Sequence, residues 1–214
     1  MWKLSRRICM TRMEDAILAE TTMPRASALE GHTKPGHYGA GDQTGIIFEE
    51  CQNLVLFQIA AWPDSLSRVS TLAAEIAGAA EAPGPGKAIV GDKATLLRIE
   101  PLKFWLLGTA ASDLRAEEGA TLDLSHSRTH LKVSGPHAAT LLNRFLPLDF
   151  REAAFPTGSV ASTAFHHVVI TLWRSGAGYE LFLPRGFALS LWELLREGAA
   201  QFGYDIVATE SEHE

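Results

Sequence analysis

The sequence is poor in the features that mark disulfide-rich, membrane-spanning and nucleic-acid-binding proteins. Only two cysteines occur, Cys9 and Cys51, and they form no Cys-x-x-Cys pair, so the sequence predicts neither a disulfide framework nor a thiolate zinc site. No apolar run approaches the roughly 20 residues that cross a bilayer. The formal net charge is −6, which gives no basic footprint for nucleic acid. These absences favour a globular protein that binds neither membrane nor nucleic acid.

The beginning of the chain is basic, but it lacks the pattern of a secretion signal. Four Lys or Arg side chains and no acidic residue occur before residue 13. A signal peptide would continue with a long apolar core, whereas Met13-Glu14-Asp15 follows here. We therefore expect the protein in the cytoplasm. Met10 and Met13 are alternatives to Met1 as the start of translation.

Composition divides the chain into four segments. Residues 1–45 are polar and rich in glycine, which predicts either a disordered arm or an extended arm that becomes ordered on a partner. Residues 46–112 and 113–208 each contain strand and helix patterns, and a polar connector near 110–119 separates them. Residues 209–214 form an acidic tail that we expect to fray. The prediction is therefore two folded lobes between an arm and a tail.

The first lobe has the order strand, helix and three strands. An apolar run at 54–60 predicts the first strand, and Pro63-Asp64 then opens a helix whose apolar side chains follow at helical spacing. Short strands are predicted at 88–90, 95–100 and 103–108, because turn-forming residues separate these apolar runs.

A similar order returns in the second lobe. Predicted strands come first, a helix opens at Gly135-Pro136, and a second helix with Phe187, Leu191 and Leu195 inward comes near the end. The predicted strands are 121–124, 129–133, 159–165, 168–173, 179–183 and 204–207. Helices between antiparallel strands predict an α+β fold of two ferredoxin-like βαββ lobes, each an antiparallel sheet covered by helices.

The candidate catalytic and cofactor-binding motifs lack the residues or the spacing that their chemistry requires. The run Gly84-Pro85-Gly86-Lys87 has Glu81 where a phosphate loop needs its first glycine. The glycines at 39, 41 and 45 are one residue off the dinucleotide-binding spacing, and no Gly-x-Ser-x-Gly occurs. The acids nearest the apolar elements have no spacing diagnostic of acid–base catalysis; they are Glu100, Asp113, Asp123 and Asp149. The sequence therefore predicts no catalytic and no cofactor-binding residue in this chain.

The histidines do not predict a metal site either. His126 and His130 lie in a strand-like stretch, where four residues span about 13 Å. That distance is too long for both rings to bind one ion at about 2 Å. His166 and His167 are adjacent, so their side chains point to opposite faces of a strand. We expect no metal ligand here, and His126 and His166 are instead predicted to face solvent or a partner.

Arg128 and Arg185 are the strongest polar candidates. Arg128 precedes a short strand and Arg185 stands at the entrance of a helix. Arginine makes bidentate pairs with carboxylates, which suits both anion binding and protein interfaces. A surface salt bridge is the alternative. With His126 and His166, these two arginines are the predicted interface residues.

The order of short motifs in the second half resembles one known family. The motifs lie at 123–128, 133–136, 147–149, 155–158 and 172–174, and the last is Phe-Leu-Pro-Arg-Gly-Phe at 182–187. Each motif is short, but their order and spacing resemble the gamma subunit of heterotetrameric sarcosine oxidase. The resemblance covers most of the chain and is best from 120 to 205.

The resemblance implies a fold like the folate-binding domain of the glycine-cleavage aminomethyltransferase. It implies alpha, beta and delta subunits as partners, with FAD, FMN, NAD and tetrahydrofolate in the alpha and beta chains and zinc in the delta chain. The gamma chain is expected to bind no cofactor. The implied complex oxidises sarcosine with oxygen to glycine, hydrogen peroxide and methylene-tetrahydrofolate. The expected function is a non-catalytic subunit that supports assembly and stability of the flavin-bearing chains.

Two alternatives remain open from the sequence. One is a stand-alone folate-binding domain for aminomethyl transfer, which would need a buried acid near the amine of the folate, with Asp123 as the candidate. The other is the equivalent subunit of a complex that oxidises a different N-methylated amino acid.

Overall fold

The structure is a computed structural model that describes residues 26–112 and 114–208. The predictions for residues 1–25, Asp113 and the tail 209–214 lie outside the described residues. The described residues form twelve strands and three α-helices. The helices are α1 Leu66–Ala77, α2 Ala138–Leu142 and α3 Ala188–Ala199. The strands are β1 Gly36–Tyr38, β2 Ile46–Cys51, β3 Leu56–Ala61, β4 Lys87–Val90, β5 Thr95–Glu100, β6 Lys103–Leu107, β7 Gly119–Asp123, β8 Arg128–Ser134, β9 Val160–Phe165, β10 Val168–Ser175, β11 Gly178–Pro184 and β12 Tyr204–Val207.

The smaller sheet has five antiparallel strands in the order β4-β5-β6-β3-β7 and carries α1 on one face. The helix follows a 3-10 turn at Pro63–Ser65, as the Pro63-Asp64 start predicts. Its buried side chains recur at helical spacing, among them Val69, Ala73 and Ala77. The helix ends at Gly78, whose φ of 71° and N–H bond to the Glu75 carbonyl fit a left-handed C-terminal cap.

The larger sheet has seven strands in the order β1-β12-β2-β8-β11-β10-β9. Its described neighbours are antiparallel, apart from the parallel pair β12–β2. Helices α2 and α3 cover one face, where Leu191, Trp192 and Leu195 join the core of this half. Phe187 is 53% exposed, so its predicted inward position is wrong. It lies in a 3-10 turn before α3 rather than on the buried face of the helix.

The two sheets pack against each other through the faces that the helices leave open. Trp105 and Leu97 of the smaller sheet meet Phe182 and Trp173 of the larger sheet in a shared apolar core. The rings of Trp105 and Phe182 meet edge to face, with centroids 5.6 Å apart. The layers are therefore helix, sheet, sheet and helices. The predicted α+β fold with antiparallel sheets covered by helices is confirmed.

Sheet membership does not follow the predicted lobe ranges. Strand β2 lies inside 46–112, but it pairs with β8 and β12 of the larger sheet. Strand β7 lies inside 113–208, but it pairs with β3 of the smaller sheet. The chain thus enters the larger sheet, builds most of the smaller one and returns. Division into domains at 112 remains a prediction.

Residues 26–45 pack on the larger sheet, which corrects the expectation of a poorly packed arm for this part of 1–45. Leu29 is fully buried in the core, and Tyr38 stacks on Tyr204 with ring centroids 5.4 Å apart. A Cβ on Gly39, which has φ of +89°, would lie 2.5 Å from the carbonyl oxygen of Ala200. This glycine therefore permits a close backbone approach, whereas composition alone predicted either disorder or ordering on a partner.

The β1–β12 ladder contains a pH-sensitive pair. The ring nitrogens of His37 lie 2.6 Å from Asp205 Oδ1 and 2.9 Å from the Gly41 carbonyl oxygen. Because both partners accept hydrogen bonds, the doubly protonated ring is favoured. The Gly41 carbonyl and then Asp205 raise the pKa of His37 above 6.5. Thr44 and then His37 lower the pKa of Asp205 below its ordinary 3.8.

We expect this pair to stabilise the sheet edge between two pH limits. A raised histidine pKa gives stability that is present below pH 6.5 and is lost as the pH rises through the folded pKa. A lowered Asp205 pKa gives stability that is present above pH 3.8 and is lost as the pH falls through the folded value. An NMR titration should show a His37 pKa above 6.5 that falls in Asp205→Asn. A His37 pKa that Asp205→Asn leaves unchanged would contradict this.

Candidate functional site

A cavity of about 380 Å³ lies where three neighbouring strands of the larger sheet end. Strand β2 ends at Cys51, β8 begins at Arg128 and β11 ends at Pro184. Cys51 is the cross-strand partner of His130, and Pro184 is the partner of Arg128. The antiparallel register thus brings polar residues from distant parts of the sequence to one end of the sheet.

The cavity brings together the two predicted arginines. Arg128 and Arg185 both line it and both are half-buried. Arg128 Nη1 donates to the Ser127 carbonyl at 3.2 Å, and its guanidinium lies 5.7 Å from the centre of the Trp105 ring. Arg185 Nη2 donates to the Ala26 carbonyl at 2.7 Å. Within the described part of the chain, neither guanidinium has a carboxylate partner. Burial lowers the pKa of Arg128, although an arginine stays charged at any physiological pH.

The segment 26–35 forms one wall of the cavity and is held by a buried acid. Glu50 is 6% exposed and accepts hydrogen bonds from the hydroxyls of Ser27 and Thr33, the latter at 2.9 Å. On the other side of this segment, Trp192 Nε1 donates to the His32 carbonyl at 3.2 Å. Two side chains of the folded body thus anchor the wall that covers the cavity.

A Cys–His–Glu cluster borders the same cavity. Cys51, His130 and Glu180 place one ligand atom each within 4.8 Å of the others. His130 Nε2 lies 2.8 Å from Glu180 Oε2, and Ser175 Oγ donates to Glu180 Oε1 at 2.8 Å. The His130 ring stacks on Phe182 with centroids 4.6 Å apart.

Electrostatics set the protonation of two members of this cluster. Burial, with the negative charge of Glu180, raises the pKa of the Cys51 thiol to about 12. The thiol is therefore protonated at neutral pH and is a poor nucleophile. Burial would raise the pKa of Glu180, but the hydrogen bonds from His130 and Ser175 and the charge of Lys132 hold it below its ordinary value. Glu180 is a carboxylate at neutral pH.

The other sequence candidates lie outside this cavity. His126 is exposed in the turn before β8, and His166 is exposed in the hairpin turn between β9 and β10, with φ of 53°. Asp123 is exposed, and its Oδ1 accepts the Ser125 N–H at 2.8 Å. It is therefore not the buried acid that the stand-alone folate alternative requires. Asp149 pairs with the neighbouring Arg151. The interface roles of His126 and His166 remain predictions.

The spacing of histidines close in sequence does not predict this cluster. Cys51 and His130 are 79 positions apart, and only the β2–β8 register makes them neighbours. One signal was present in the sequence. Glu180 interrupts an otherwise apolar strand, and a buried acid in such a strand needs a partner.

The comparisons with known proteins decide the family. The family model of the GCVT N-terminal domain matches residues 88–213, which is more than half of the chain. The chain belongs to the GCVT N-terminal domain family. The matched region includes β8, β11 and α3, and so most of the larger sheet of this GCVT-type fold.

Two sequence relatives of this GCVT-family chain are both named sarcosine oxidase subunit gamma. The sarcosine oxidase subunit gamma of Arthrobacter sp is 34% identical over 113 residues, which cover 53% of this chain and 54% of the relative. That of Corynebacterium sp. (strain U-96) is 35% identical over 80 residues, covering 37% and 39%. The chain thus spans about half the length of the first relative, and less of the second. The resemblance to sarcosine oxidase gamma subunits is confirmed.

Solved structures share the fold. A chain of the heterotetrameric sarcosine oxidase from Corynebacterium sp. U-96 in complex with pyrrole 2-carboxylate has a TM-score of 0.65 at 23% identity, covering 76% of this chain and 87% of that chain. The glycine cleavage system aminomethyltransferase T from Bartonella henselae has a TM-score of 0.51 at 17% identity, covering 72% and 46%. The predicted likeness to an aminomethyltransferase domain is therefore confirmed at the level of fold. Over the described residues, no helix combines the length and apolarity needed to span a membrane.

Proposed function

We propose that this chain is the gamma subunit of a heterotetrameric sarcosine oxidase. The observation that carries the proposal is the 34% identity over 113 residues to a protein with that name, supported by the fold shared with a chain of a heterotetrameric sarcosine oxidase. In this proposal the chain acts in the cytoplasm with alpha, beta and delta subunits. The complex converts sarcosine, oxygen and tetrahydrofolate to glycine, hydrogen peroxide and methylene-tetrahydrofolate.

The role proposed for this chain is structural. FAD, FMN, NAD and tetrahydrofolate would be held by the alpha and beta chains and zinc by the delta chain, while this chain supports their assembly. The chemistry of the cavity agrees with such a role, because the Cys51 thiol is protonated and the carboxylate of Glu180 is already engaged by His130 and Ser175. Neither group is set up as a nucleophile or general base.

The proposed docking site is the mouth of the cavity. Arg128 and Arg185 have only backbone or hydroxyl oxygens as described hydrogen-bond partners, so each guanidinium retains donors for a carboxylate. We propose that acidic side chains of a partner subunit bind there. His126, two positions before Arg128, extends this proposed surface, and His166 remains a second proposed contact.

An omission experiment tests the structural role. All four subunit genes are co-expressed, and then the three others are expressed without this chain. We expect omission to lower the yield and thermal stability of the flavin-containing complex, while sarcosine oxidation per bound flavin changes by less than about twofold, since catalytic groups typically contribute 100-fold or more. A complex of normal yield without this chain would contradict the assembly role. A large loss of activity per flavin would contradict the non-catalytic role.

A further inference from the structure

We propose that Cys51, His130 and Glu180 form a zinc site with an open fourth position that faces the cavity. The proposal does not depend on whether the chain assembles with partners. It concerns three donor atoms of this chain alone.

The sheet register builds the site. Cys51 and His130 are cross-strand partners on β2 and β8. Glu180 on β11 pairs with Lys132 on β8. Lys132 is two residues from His130, so Glu180 lies diagonally opposite His130 on the neighbouring strand. Side chains two residues apart on a strand share a face, so all three project from the same face of three adjacent strands. Such positions are held by the backbone ladder.

The donor spacing fits one ion. The ligand atoms lie within 4.8 Å of one another, and a tetrahedral zinc with bonds of 2.0–2.3 Å holds its ligands about 3.3–3.8 Å apart. His130 Nε2 and Glu180 Oε2, now 2.8 Å apart, would separate slightly, and Cys51 Sγ would move inward. The adjustment is within the reach of side-chain rotations on a fixed backbone.

The surroundings hold two of the donors in place. Ser175 Oγ donates to Glu180 Oε1 at 2.8 Å, which leaves Oε2 directed at His130. The ring of Phe182 stacks on His130 and fixes the imidazole plane. Hydrogen bonds of this kind orient ligands and strengthen metal binding. Lys132, the cross-strand partner of Glu180, pairs with Glu49 at 3.1 Å.

The donor set selects the type of metal. One sulfur, one imidazole nitrogen and one carboxylate oxygen suit zinc, whereas magnesium and calcium prefer oxygen donors alone. Metal binding would release the proton of the Cys51 thiol to solvent, and the resulting thiolate and the Glu180 carboxylate would together balance the charge of a divalent ion. Three protein ligands leave one position for water or a small anion. Cys51 and His130 line the cavity, which gives the ion an entry path. The competing explanation is a purely structural His130–Glu180 hydrogen bond.

Cobalt(II) is the probe, because a thiolate bound to it gives a charge-transfer absorption in the near ultraviolet. The full chain is stripped of metal with a chelator, dialysed and titrated with Co²⁺, and Zn²⁺ is then added. We expect the absorption to saturate at one Co²⁺ per chain and to disappear when Zn²⁺ displaces the cobalt. Ser175→Ala should weaken binding about 10- to 100-fold.

Matched variants assign the signal to the proposed ligands. Cys51→Ser should abolish the charge-transfer band, while Cys9→Ser, which removes the other cysteine of the chain, should retain it. His130→Gln should lose binding and His126→Gln should retain it. Far-ultraviolet circular dichroism checks that each variant folds. Glu180→Gln should also lose binding. If this variant fails to fold, Cys51→Ser remains decisive, since it exchanges a single atom. Absence of the band in the wild-type chain, or its persistence in Cys51→Ser, would overturn the proposal.

Discussion

Replacement of Trp192 by alanine is expected to lower the free energy of unfolding by about 3–5 kcal/mol, the usual cost of removing a large buried aromatic side chain. Trp192 is fully buried, and its ring meets Phe48 edge to face with centroids 5.0 Å apart. The loss combines apolar contacts with the cavity left behind. Because most domains are stable by only about 5–15 kcal/mol, this single change would remove a large fraction of the stability.

The same substitution should loosen the wall of the cavity. Trp192 Nε1 donates to the His32 carbonyl, so Trp192→Ala should also raise amide hydrogen exchange in residues 26–35. Trp192→Phe, which keeps an aromatic ring but not the N–H, should raise this exchange at a smaller cost in stability. Urea unfolding and exchange mass spectrometry measure the two effects.

Trp62→Ala is the matched control for the stability effect. Trp62 is 48% exposed, and exposed positions usually change stability by about 0.5 kcal/mol or less. Its one described side-chain hydrogen bond, to the Ala116 carbonyl at 2.8 Å, adds about 0.5–1.5 kcal/mol. Equal losses in Trp62→Ala and Trp192→Ala would contradict the packing described for the larger sheet.

The double variant Arg128→Ala/Arg185→Ala is expected to weaken binding to the partner subunits by about 2–5 kcal/mol, or about 30- to 4000-fold in Kd. In the proposed complex both guanidiniums pair with partner carboxylates, and their removal leaves those acids buried without a partner. The folded chain itself should be little affected, because the described hydrogen bonds of both side chains go to backbone or hydroxyl oxygens and neither side chain forms a described ion pair within the chain.

Surface plasmon resonance with the partner subunits immobilised measures this effect, and thermal melting confirms that the variant is folded. Arg151→Ala is the control arginine, since Arg151 is 84% exposed and pairs with Asp149 within this chain. We expect no change in Kd for Arg151→Ala. If it weakens binding as much as the double variant does, the docking surface lies elsewhere.

The local elements of this fold could be predicted from sequence, whereas strand pairing could not. The apolar run at 95–100 and the stretch at 204–207 match β5 and β12 in their bounds. Strand β2 was not predicted, because Glu49 and Glu50 hide its alternation. Glu50 is nevertheless buried, where the hydroxyls of Ser27 and Thr33 satisfy it. A pattern of polarity can place an acid within an apolar strand, but it cannot identify partners that lie far away in sequence.

In the candidate site, too, single residues could be predicted from the sequence, whereas their arrangement in space could not. Arg128 and Arg185 were identified one by one, because arginine near a strand end or a helix entrance has recognisable chemistry. Their shared cavity depends on the β8–β11 register, which places Pro184 opposite Arg128. Cys51 lies in no local motif, and only the β2–β8 ladder brings it to His130. The pairing register of strands that are distant in sequence therefore determines the site. That register could not be predicted from this single sequence.

Isolation of this chain from its own cells under mild conditions would show whether it is a subunit of a flavin-containing amine oxidase, as proposed. The co-purifying proteins are identified by mass spectrometry and a visible spectrum is recorded. We predict a yellow complex that contains this chain together with larger chains bearing flavin. Recovery of a colourless chain without partners would contradict the proposal and favour the stand-alone alternative, which calorimetry with tetrahydrofolate would then test.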